Sequence, residues 1–439
     1  MKILFVSEDL VAGDLARLLK EEGHDVKLYI KDKGRRGNFD NMVEKTDSWQ
    51  KELKWVGEEG LIIFDGCDSG FTQDKLRHKG FSVVGSSALG NKLENDREYG
   101  NEILKKYKLS TVPQINFDSI DKAISFVEKN KKKWVIKQNS SGTSLKGFNY
   151  VGMKNNADDV IDVLTNYKTE TEYKDAIITL QEKIEGVEIG VGRYFNGTDW
   201  VGPIEVNMEH KKYFPGDLGP TTSEMGTLAW YDNNENNKLF KLTLDKIKPH
   251  LKEIGFKGDM EINCIVNEKG AFPLETTPRF GSPIIHLQGE IQTTPWGSML
   301  KAMACGEDFK VKWKRGYGIV IVVTVPTSQP FPFTKADHYI SPKGLKIYFD
   351  EVAKKNMEHI HFEDVSMRKV NGNEEYYISD DRGYVLYVTA VGKTVEKARE
   401  KAYGLLKHIH IPKMFYRNDI GLKFIESDEA KLKKWGYLK

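Results

Sequence analysis

Two neighbouring apolar segments in the middle of the chain each carry a glutamate where a folded core would bury it. Glu261 lies within Met260–Val266, and Glu275 lies within Phe272–Thr276. The turn Asn267–Gly270 separates the two segments, so their composition predicts adjacent strands joined by a tight connection. A carboxylate in such a strand is costly unless it is paired or bound to a metal. The chain must therefore adopt a fold in which two adjacent strands present carboxylates to a cleft.

These two carboxylates suit a hard cation. Oxygen ligands are what Mg²⁺ prefers, and phosphate oxygens of a nucleotide can complete its shell. We therefore predict that Glu261 and Glu275 bind Mg²⁺ or Mn²⁺. The alternative is a structural ion pair with Arg279, which follows the second strand.

A candidate phosphate-binding loop precedes this pair. Lys137 ends the predicted strand Trp134–Lys137, and the small polar residues of Gln138–Gly147, with Lys146 among them, follow it. Small residues let backbone N–H groups approach phosphate oxygens, and the lysines neutralise charge. No Walker loop is present, so the pattern is also typical of a polar hairpin loop.

A candidate nucleotide hinge spans Gln181–Glu188. The predicted strand Ile177–Leu180 runs into it, and a strand end can offer backbone N–H and C=O groups to an adenine edge. The carboxylate of Glu188 can accept hydrogen bonds from both ribose hydroxyls. An acidic surface turn is the alternative interpretation.

Three segments of the chain differ in their residue pattern, which predicts several domains. Strands and helices alternate over the first 90 residues, and this pattern is typical of a parallel sheet. After residue 313, the β-branched runs Ile319–Val325 and Tyr384–Val391 and the helical segment Val395–His408 indicate a small α+β domain. We expect an N-terminal α/β domain, a lid subdomain, a catalytic subdomain and a C-terminal α+β domain, with boundaries at 1–110, 111–184, 185–312 and 313–439.

Composition limits the partners and the compartment. The 66 Lys and Arg nearly balance the 64 Asp and Glu, so nothing favours nucleic acid or an anionic membrane as a partner. Cys67, Cys264 and Cys305 lie far apart, which fits a reducing compartment. No stretch approaches the roughly 20 apolar residues of a membrane span. We expect a cytoplasmic protein without a membrane partner, acting on small molecules as a monomer or homodimer.

The order of these motifs resembles the ATP-grasp superfamily and, more narrowly, the phosphoribosylamine–glycine ligase family. Phe214–Gly226 is similar to that family's G-D-x-x-x-G-P-N-T-G-G-M-G segment, and Leu274–Pro283 is similar to L-E-F-N-x-R-F-G-D-P. Near the end, Gly383–Leu386 resembles G-R-V-L, and Phe415–Gly421 resembles F-Y-R-x-D-I-G. The resemblance spans nearly the whole chain in the same order.

The resemblance implies a multidomain α/β and α+β protein: an ATP-grasp fold with an N-terminal Rossmann-like parallel-sheet domain and a small C-terminal α+β domain. It implies ATP and magnesium as cofactors and a reaction in which an amino-acid carboxylate, glycine in the family, becomes an acyl-phosphate that an amine attacks. The implied roles are phosphate contacts for Lys137 and Lys146, adenine contacts for Gln181, Glu182 and Ile184, a ribose contact for Glu188, and magnesium at Glu275. Arg279 would bind the substrate carboxylate, and Asp217 its ammonium group.

The departures concern the amine. The family's Gly-rich turn after the first strand is replaced by Ser7–Asp14, whose acidic residues would repel a phosphate. Asp65–Gly70 replaces a G-P-E motif, Thr277 replaces the asparagine beside the metal, and Ser282 replaces an aspartate. Three functions therefore stay open: the family reaction, the same chemistry on another amine outside purine synthesis, and a non-catalytic nucleotide-binding regulator.

Overall fold

The computed structural model describes residues 1–139, 149–169, 177–325 and 341–439. These residues form two compact units. The larger unit contains residues 1–109, 187–264 and 274–439, and the smaller unit contains residues 110–186 and 265–273.

The N-terminal part of the larger unit is built on a parallel sheet, as its alternating pattern predicts. Its strands, in chain order, are β1 (Lys2–Ser7), β2 (Asp25–Ile30), β3 (Glu44–Lys45), β4 (Leu61–Phe64) and β5 (Val83–Val84). The spatial order is β3-β2-β1-β4-β5, so the direction of sheet growth reverses between β1 and β4. In open parallel sheets, ligands bind beyond the carboxyl ends of the strands at such a switch point.

Five helices accompany this sheet: α1 (Gly13–Glu21), α2 (Leu53–Val56), α3 (Gly70–His78), α4 (Ala88–Asn95) and α5 (Arg97–Lys106). Residues 92–108 have helical spacing throughout but lie in two helices, because α4 ends and α5 begins within them. Asp96 has extended dihedral angles, and its carboxylate accepts a hydrogen bond from the Tyr99 N–H at 3.1 Å. Asp96 therefore caps a new helix and does not continue the previous one.

The smaller unit is an antiparallel sheet covered by two helices. Its elements are β6 (Gln114–Phe117), α6 (Ile120–Lys129), β7 (Trp134–Asn139), β8 (Tyr150–Val151), α7 (Asp158–Thr169) and β9 (Ile177–Glu182). The strand order is β6-β9-β7-β8. Ile136 and Leu180 of the sheet and Val160 of α7 belong to its buried core, which explains the apolar positions of these segments.

The rest of the larger unit centres on an eight-stranded sheet of order β16-β15-β10-β11-β14-β17-β22-β19. The strands after β9 are β10 (Val187–Asn196), β11 (Trp200–Glu209), β12 (Lys212–Phe214), β13 (Leu218–Thr221), β14 (Gly226–Asp232), β15 (Lys257–Asn267), β16 (Gly270–Thr277), β17 (Tyr317–Thr324), β18 (Tyr348–Phe349), β19 (Ile360–Phe362), β20 (Val365–Val370), β21 (Asn373–Ile378), β22 (Tyr384–Gly392) and β23 (Ile409–His410). Strands from the C-terminal region thus extend the sheet that holds the acidic strands.

The helices of this region are α8 (Lys238–Leu242), α9 (Leu244–Glu253), α10 (Ile284–Ile291), α11 (Trp296–Cys305), α12 (Glu351–Lys354), α13 (Val395–Leu406) and α14 (Glu429–Lys434). The amphipathic segment Leu239–Ile254 contains two helices because Thr243 leaves the helical conformation. Leu287 of α10 packs on Val320 of β17 and Tyr387 of β22. Among the described residues, no helix combines the length and apolar character that crossing a membrane would require.

Candidate functional site

One face of the eight-stranded sheet carries a band of acidic and amide side chains across three adjacent strands. Side chains two residues apart share a face of a strand. The band comprises Glu188, Gly190 and Gly192 of β10, Glu205, Asn207 and Glu209 of β11, and Asp259, Glu261 and Asn263 of β15. We call these residues the acid face.

Glycines on the central strand make room for this band. Gly190 lies opposite Asn207, and Gly192 lies opposite Glu205. A β-carbon at Gly190 would stand 2.3 Å from Asn207 Oδ1 and 2.7 Å from Glu261 Oε1. The side chains of both flanking strands therefore meet over Gly190, at a point that any other residue would occupy.

The outer group of charges surrounds Lys211, which follows β11. Its ammonium lies 2.9 Å from a Glu209 oxygen, 2.7 Å from Glu275 and 3.5 Å from Glu188. Burial lowers the pKa of Lys211, but these carboxylates outweigh it and raise that pKa overall. Burial and the nearby Glu275 raise the pKa of Glu209. Within the part of the chain that the structure describes, the outer group therefore concentrates negative charge around the Lys211 ammonium.

An unpartnered amide oxygen points to a cation at the outer group. Asn263 Nδ2 donates to Glu209 Oε2 at 2.6 Å. In the described part of the chain, Asn263 Oδ1 is buried and has no hydrogen-bond donor. Carboxylates and an amide oxygen are ligands that suit Mg²⁺. The side chains present at the outer group therefore fit a divalent cation.

The inner group of the acid face lies deeper. Gln288 of α10 donates through Nε2 to Glu205 at 2.6 Å and to Asp259 at 3.0 Å. Burial raises the pKa of Glu205 to about 8 and that of Asp259 to about 6. Burial and nearby Glu209 raise the pKa of Glu261. These carboxylates cannot all be ionised without a compensating cation.

The two carboxylates predicted as metal ligands belong to different groups. Glu275 joins the outer group, with its side chain 53% exposed, whereas Glu261 belongs to the inner group and is buried. Glu209 interacts electrostatically with both. The alternative of an ion pair with Arg279 is not found, because that guanidinium pairs with Glu94.

The sequence pattern did not predict three residues of the outer group: Glu209, Lys211 and Asn263. The alternation Glu205-x-Asn207-x-Glu209 places polar residues inside an apolar strand, which is the same feature that led to the prediction of Glu261.

Arg279 follows β16 and is held by α4. Its Nη2 and Nε donate to Glu94 Oε1 at 2.9 and 3.2 Å, and its Nη1 donates to the Phe280 carbonyl at 2.8 Å. Burial opposes the charge of Arg279, but Glu94 raises the pKa of the guanidinium. Glu94 Oε2 has no hydrogen-bond partner among the described residues. A substrate carboxylate at Arg279 must therefore share the guanidinium with Glu94 or displace it.

Asp217 already faces two cations. Its carboxylate lies 3.0 Å from Nη1 of Arg417 and 3.4 Å from Nζ of Lys423. Arg417 is only 1% exposed and also pairs with Asp419 at 2.7 Å. Burial opposes ionisation, but the two cations lower the pKa of Asp217. Asp217 is therefore a fixed anion, and binding of a substrate ammonium there stays a prediction.

A cavity of about 320 Å³ lies along the outer group. Glu188, Glu209 and Lys211 line one part of it, and Asp217, Lys423 and Phe424 line another. The cavity brings the predicted ribose and ammonium ligands to one place within the larger unit. The contribution of Lys423 and Phe424 comes from the C-terminal segment, and no sequence pattern indicated it.

The predicted adenine and phosphate residues of the smaller unit lie on two paired strands. Gln181 is buried in β9 opposite Val135, and Lys137 of β7 lies opposite Thr179. The Glu182 carboxylate pairs with Lys132 at 2.6 Å, and Ile184 is half-buried just beyond the strand. Lys146 and most of the loop Gln138–Gly147 lie outside the described residues.

The turn after β1 lies at the switch point of the parallel sheet. The Asp65 carboxylate accepts hydrogen bonds from the Glu8 N–H at 3.2 Å, the Ala12 N–H at 3.1 Å and the Ser7 hydroxyl at 2.7 Å. The Leu10 N–H donates to Ser7 Oγ at 2.8 Å. Burial raises the pKa of Asp65 to about 6 and that of Glu8 to about 7. Backbone donors that could bind an external anion are therefore occupied by a carboxylate of the protein.

A buried aspartate and two histidines form another cluster. Asp14, His286 and His361 are the one set of at least three acidic, histidine or cysteine side chains in the described ranges whose ligand atoms all lie within 4.8 Å. Asp14 is already neutralised by Arg17 at 2.6 Å, and His361 Nδ1 lies 3.0 Å from it. This pairing favours a structural network.

The eight-stranded sheet with its acid face and the smaller antiparallel unit are those of an ATP-grasp protein. A phosphoribosylamine–glycine ligase structure from Thermotoga maritima has the same fold, with a TM-score of 0.68 at 20% identity, covering 96% of this chain and 100% of that one. Family models described as phosphoribosylglycinamide synthetase, ATP-grasp (A) domain and C domain match residues 95–284 and 343–423, more than half of the chain together. The chain therefore belongs to the phosphoribosylglycinamide synthetase family, and it is an ATP-dependent ligase that forms carbon–nitrogen bonds.

Other similar proteins agree with this placement. The phosphoribosylamine–glycine ligase of Clostridium acetobutylicum is 23% identical over 395 residues, which cover 87% of each chain. A bifunctional purine biosynthetic protein of Dictyostelium discoideum is 24% identical over 413 residues, covering 87% of this chain and 48% of that protein. A biotin carboxylase from Campylobacter jejuni shares the fold, with a TM-score of 0.59 at 12% identity, covering 99% of this chain and 98% of that one.

Proposed function

We propose that the protein phosphorylates the carboxylate of an amino acid, glycine first among the candidates, and transfers the acyl group to an amine. The products are an amide, ADP and phosphate, as the family reaction implies. The observation that carries this proposal is the outer group, where Glu209 and Glu275 contact the Lys211 ammonium. Asn263 donates to Glu209, and its Oδ1 has no hydrogen-bond partner among the described residues. An unactivated carboxylate is a poor electrophile, so ATP must first provide a leaving group.

The nucleotide contacts are proposed for each unit separately. In the smaller unit, Lys137 and Lys146 bind the phosphates, and Gln181, Glu182 and Ile184 line the adenine. In the larger unit, Glu188 binds the ribose. The outer group, through Glu275 and Glu209, holds a magnesium or manganese ion that neutralises charge on the transferred phosphoryl group.

The amino acid is proposed to bind through its two charged ends. Arg279 holds the carboxylate with the fork geometry that matches two oxygens, and Asp217 orients the ammonium. Both side chains are fixed in advance, Arg279 by Glu94 and Asp217 by Arg417. Such positioning lowers the entropic cost of bringing the carboxylate to the phosphoryl group.

The test is the fate of a labelled carboxylate oxygen. Glycine carrying oxygen-18 in its carboxylate should transfer one label to inorganic phosphate during turnover, because the acyl-phosphate oxygen leaves with the phosphate. Glu275→Gln should lower turnover by roughly 100-fold or more, on the scale of lost charge stabilisation in phosphoryl transfer. Glu374→Gln, an exposed glutamate on β21, is the matched control and should leave turnover unchanged. Phosphate without label, or full activity in Glu275→Gln, would contradict the proposal.

A second candidate differs only in the amine. The relatives are named for phosphoribosylamine, which carries a phosphate. In this chain Asp65 fills the backbone donors of the turn after β1, and Glu8 adds a buried carboxylate beside it. This arrangement favours an acceptor amine without a phosphate, and hence a role outside purine synthesis. Turnover with glycine should be compared across phosphoribosylamine and phosphate-free amines, and preference for phosphoribosylamine would exclude this candidate.

The partners, the oligomeric state and the cellular compartment of the enzyme are also proposed. Its partners are small-molecule substrates, and it works as a monomer or homodimer, which light scattering of the purified chain would distinguish. Cys67, Cys264 and Cys305 are free thiols, which suits the cytoplasm. Fractionation of the source cells would test that compartment.

A further inference from the structure

The inner group of the acid face has more acceptors than donors. Glu205, Asp259 and Glu261 supply carboxylates, and Asn207 adds an amide oxygen. Among the described residues, the side-chain donors that reach Glu205 and Asp259 are the amide of Gln288 and the amide of Asn207, which reaches Glu205 at 2.8 Å. The backbone N–H of Met260 also donates to Asp259.

Asn207 provides an independent sign of a missing ligand. The residue is 0% exposed, and its Oδ1 has no hydrogen-bond donor in the described part of the chain. A buried amide oxygen without a partner is destabilising, because it has lost its hydrogen bonds to water. The same oxygen and Glu261 Oε1 converge over Gly190, whose missing β-carbon leaves the space open.

Among the described residues, the charged groups that act most strongly on Glu261 are all carboxylates. Its carboxylate interacts with Glu209, Glu205 and Asp259, and all of these disfavour its ionisation, while the Asn207 amide favours it. The Lys211 ammonium pairs with Glu209 of the outer group, and Arg279 lowers the pKa of Asp259, so neither of these cations pairs with Glu261. A hard cation with oxygen ligands would satisfy both the carboxylates and the amide oxygen at once.

We infer that Glu205, Glu261 and the amide oxygen of Asn207 form a divalent-cation site that fills without nucleotide. This site is distinct from the outer group proposed to hold the nucleotide's metal ion. It would join β11 to β15 across Gly190 and remove repulsion that acts on Glu209. The inference goes beyond the proposed ligase function and does not depend on it, because occupancy is measured without ATP or substrate.

The test uses Mn²⁺ as the probe on the full-length chain stripped with a chelator. Loss of the free Mn²⁺ electron paramagnetic resonance signal reports binding in the absence of nucleotide. The wild type should bind one Mn²⁺ in this way. Glu261→Gln and Glu205→Gln should each weaken that binding at least about tenfold, since each loses a charged ligand worth more than 1.4 kcal/mol.

Two further variants keep the test decisive. Glu275→Gln, in the outer group, should keep the nucleotide-free Mn²⁺ and lose affinity for Mn²⁺ added with ADP. Gly190→Ala should abolish the nucleotide-free ion, because its β-carbon would stand 2.3 Å from Asn207 Oδ1. Circular dichroism checks that each variant is folded.

The competing explanation is a proton, with neutral Glu261 donating to Asn207 Oδ1. It predicts no Mn²⁺ bound without nucleotide and no change in thermal midpoint on adding Mn²⁺. Either result overturns the inference, as does nucleotide-free binding that Glu275→Gln abolishes and Glu261→Gln leaves intact. A failed ligase assay would leave the Mn²⁺ result unchanged, so the two hypotheses fail separately.

Discussion

Replacement of Arg279 by lysine separates a substrate anchor from a structural ion pair. In the free protein, the guanidinium donates two hydrogen bonds to Glu94 Oε1, at 2.9 and 3.2 Å, and one to the Phe280 carbonyl, at 2.8 Å. A bound amino-acid carboxylate must share the guanidinium with Glu94 or displace it. Lysine keeps the positive charge but loses the planar fork that holds two oxygens.

The magnitude follows from the hydrogen bond that lysine cannot replace. A hydrogen bond to a charged group contributes about 1.5–3 kcal/mol, and the 24% exposure of the Arg279 side chain puts the loss near the lower end. At about 2 kcal/mol, the KM of the amino acid should rise roughly 30-fold in Arg279→Lys. Because Arg279 does not contact the phosphoryl group in this scheme, kcat should change little, as expected for lost ground-state binding.

The assay is steady-state release of ADP with the amino acid varied and the amine saturating. Glu94→Gln serves as the partner variant, because it weakens the competitor for Arg279 and should lower the KM of the amino acid. A structural ion pair predicts otherwise: both variants lose thermal stability to a similar degree and neither changes that KM. An unchanged KM in Arg279→Lys would refute the role of Arg279 as the carboxylate anchor.

Three further outcomes are expected. Burial and the neighbouring His361 lower the pKa of His286 from 6.5 to about 3. The contribution of neutral His286 to stability is therefore complete above pH 6.5 and is lost as the pH falls towards 3, at about 1.4 kcal/mol per pH unit. In urea unfolding at several pH values, the free energy of unfolding of His286→Phe, which keeps a ring stacked on Tyr387, should fall less steeply towards acid pH; the same slope as the wild type would contradict this. Leu287→Ala should lower the free energy of unfolding by about 2–5 kcal/mol, because Leu287 is fully buried in the core; a loss below 1 kcal/mol by chemical denaturation would mean that the core repacks. Asp217→Asn should raise the KM of the amino acid by roughly tenfold. Lys423→Met, which removes the more distant cationic partner of Asp217, should leave that KM unchanged. Equal effects of the two variants on ADP release would assign Asp217 a structural role.

Local pattern predicted the elements but not all of their ends. The apolar run Leu61–Phe64 became β4 with the same bounds, since a short buried strand has a clear signature. The segment 92–108 divided at Asp96, because an aspartate that caps a helix leaves the same overall helical spacing on both sides. The placement of Glu261 in a buried strand was correct, whereas its nearest acidic neighbours lay on a strand more than fifty residues earlier and were not foreseen.

The sequence by itself determined the fold family, the alternating parallel sheet and the acidic strand of Glu261. Periodicity predicts the sheet and the acidic strand from residues close together in the chain, whereas the fold family follows from the resemblance of several motifs in the same order along nearly the whole chain. Only the tertiary structure decided which charges meet: Lys211 with Glu275, Arg279 with Glu94, Asp65 with the turn after β1. Those contacts depend on strand order and register, and these are set by packing between distant segments, which no local spacing records.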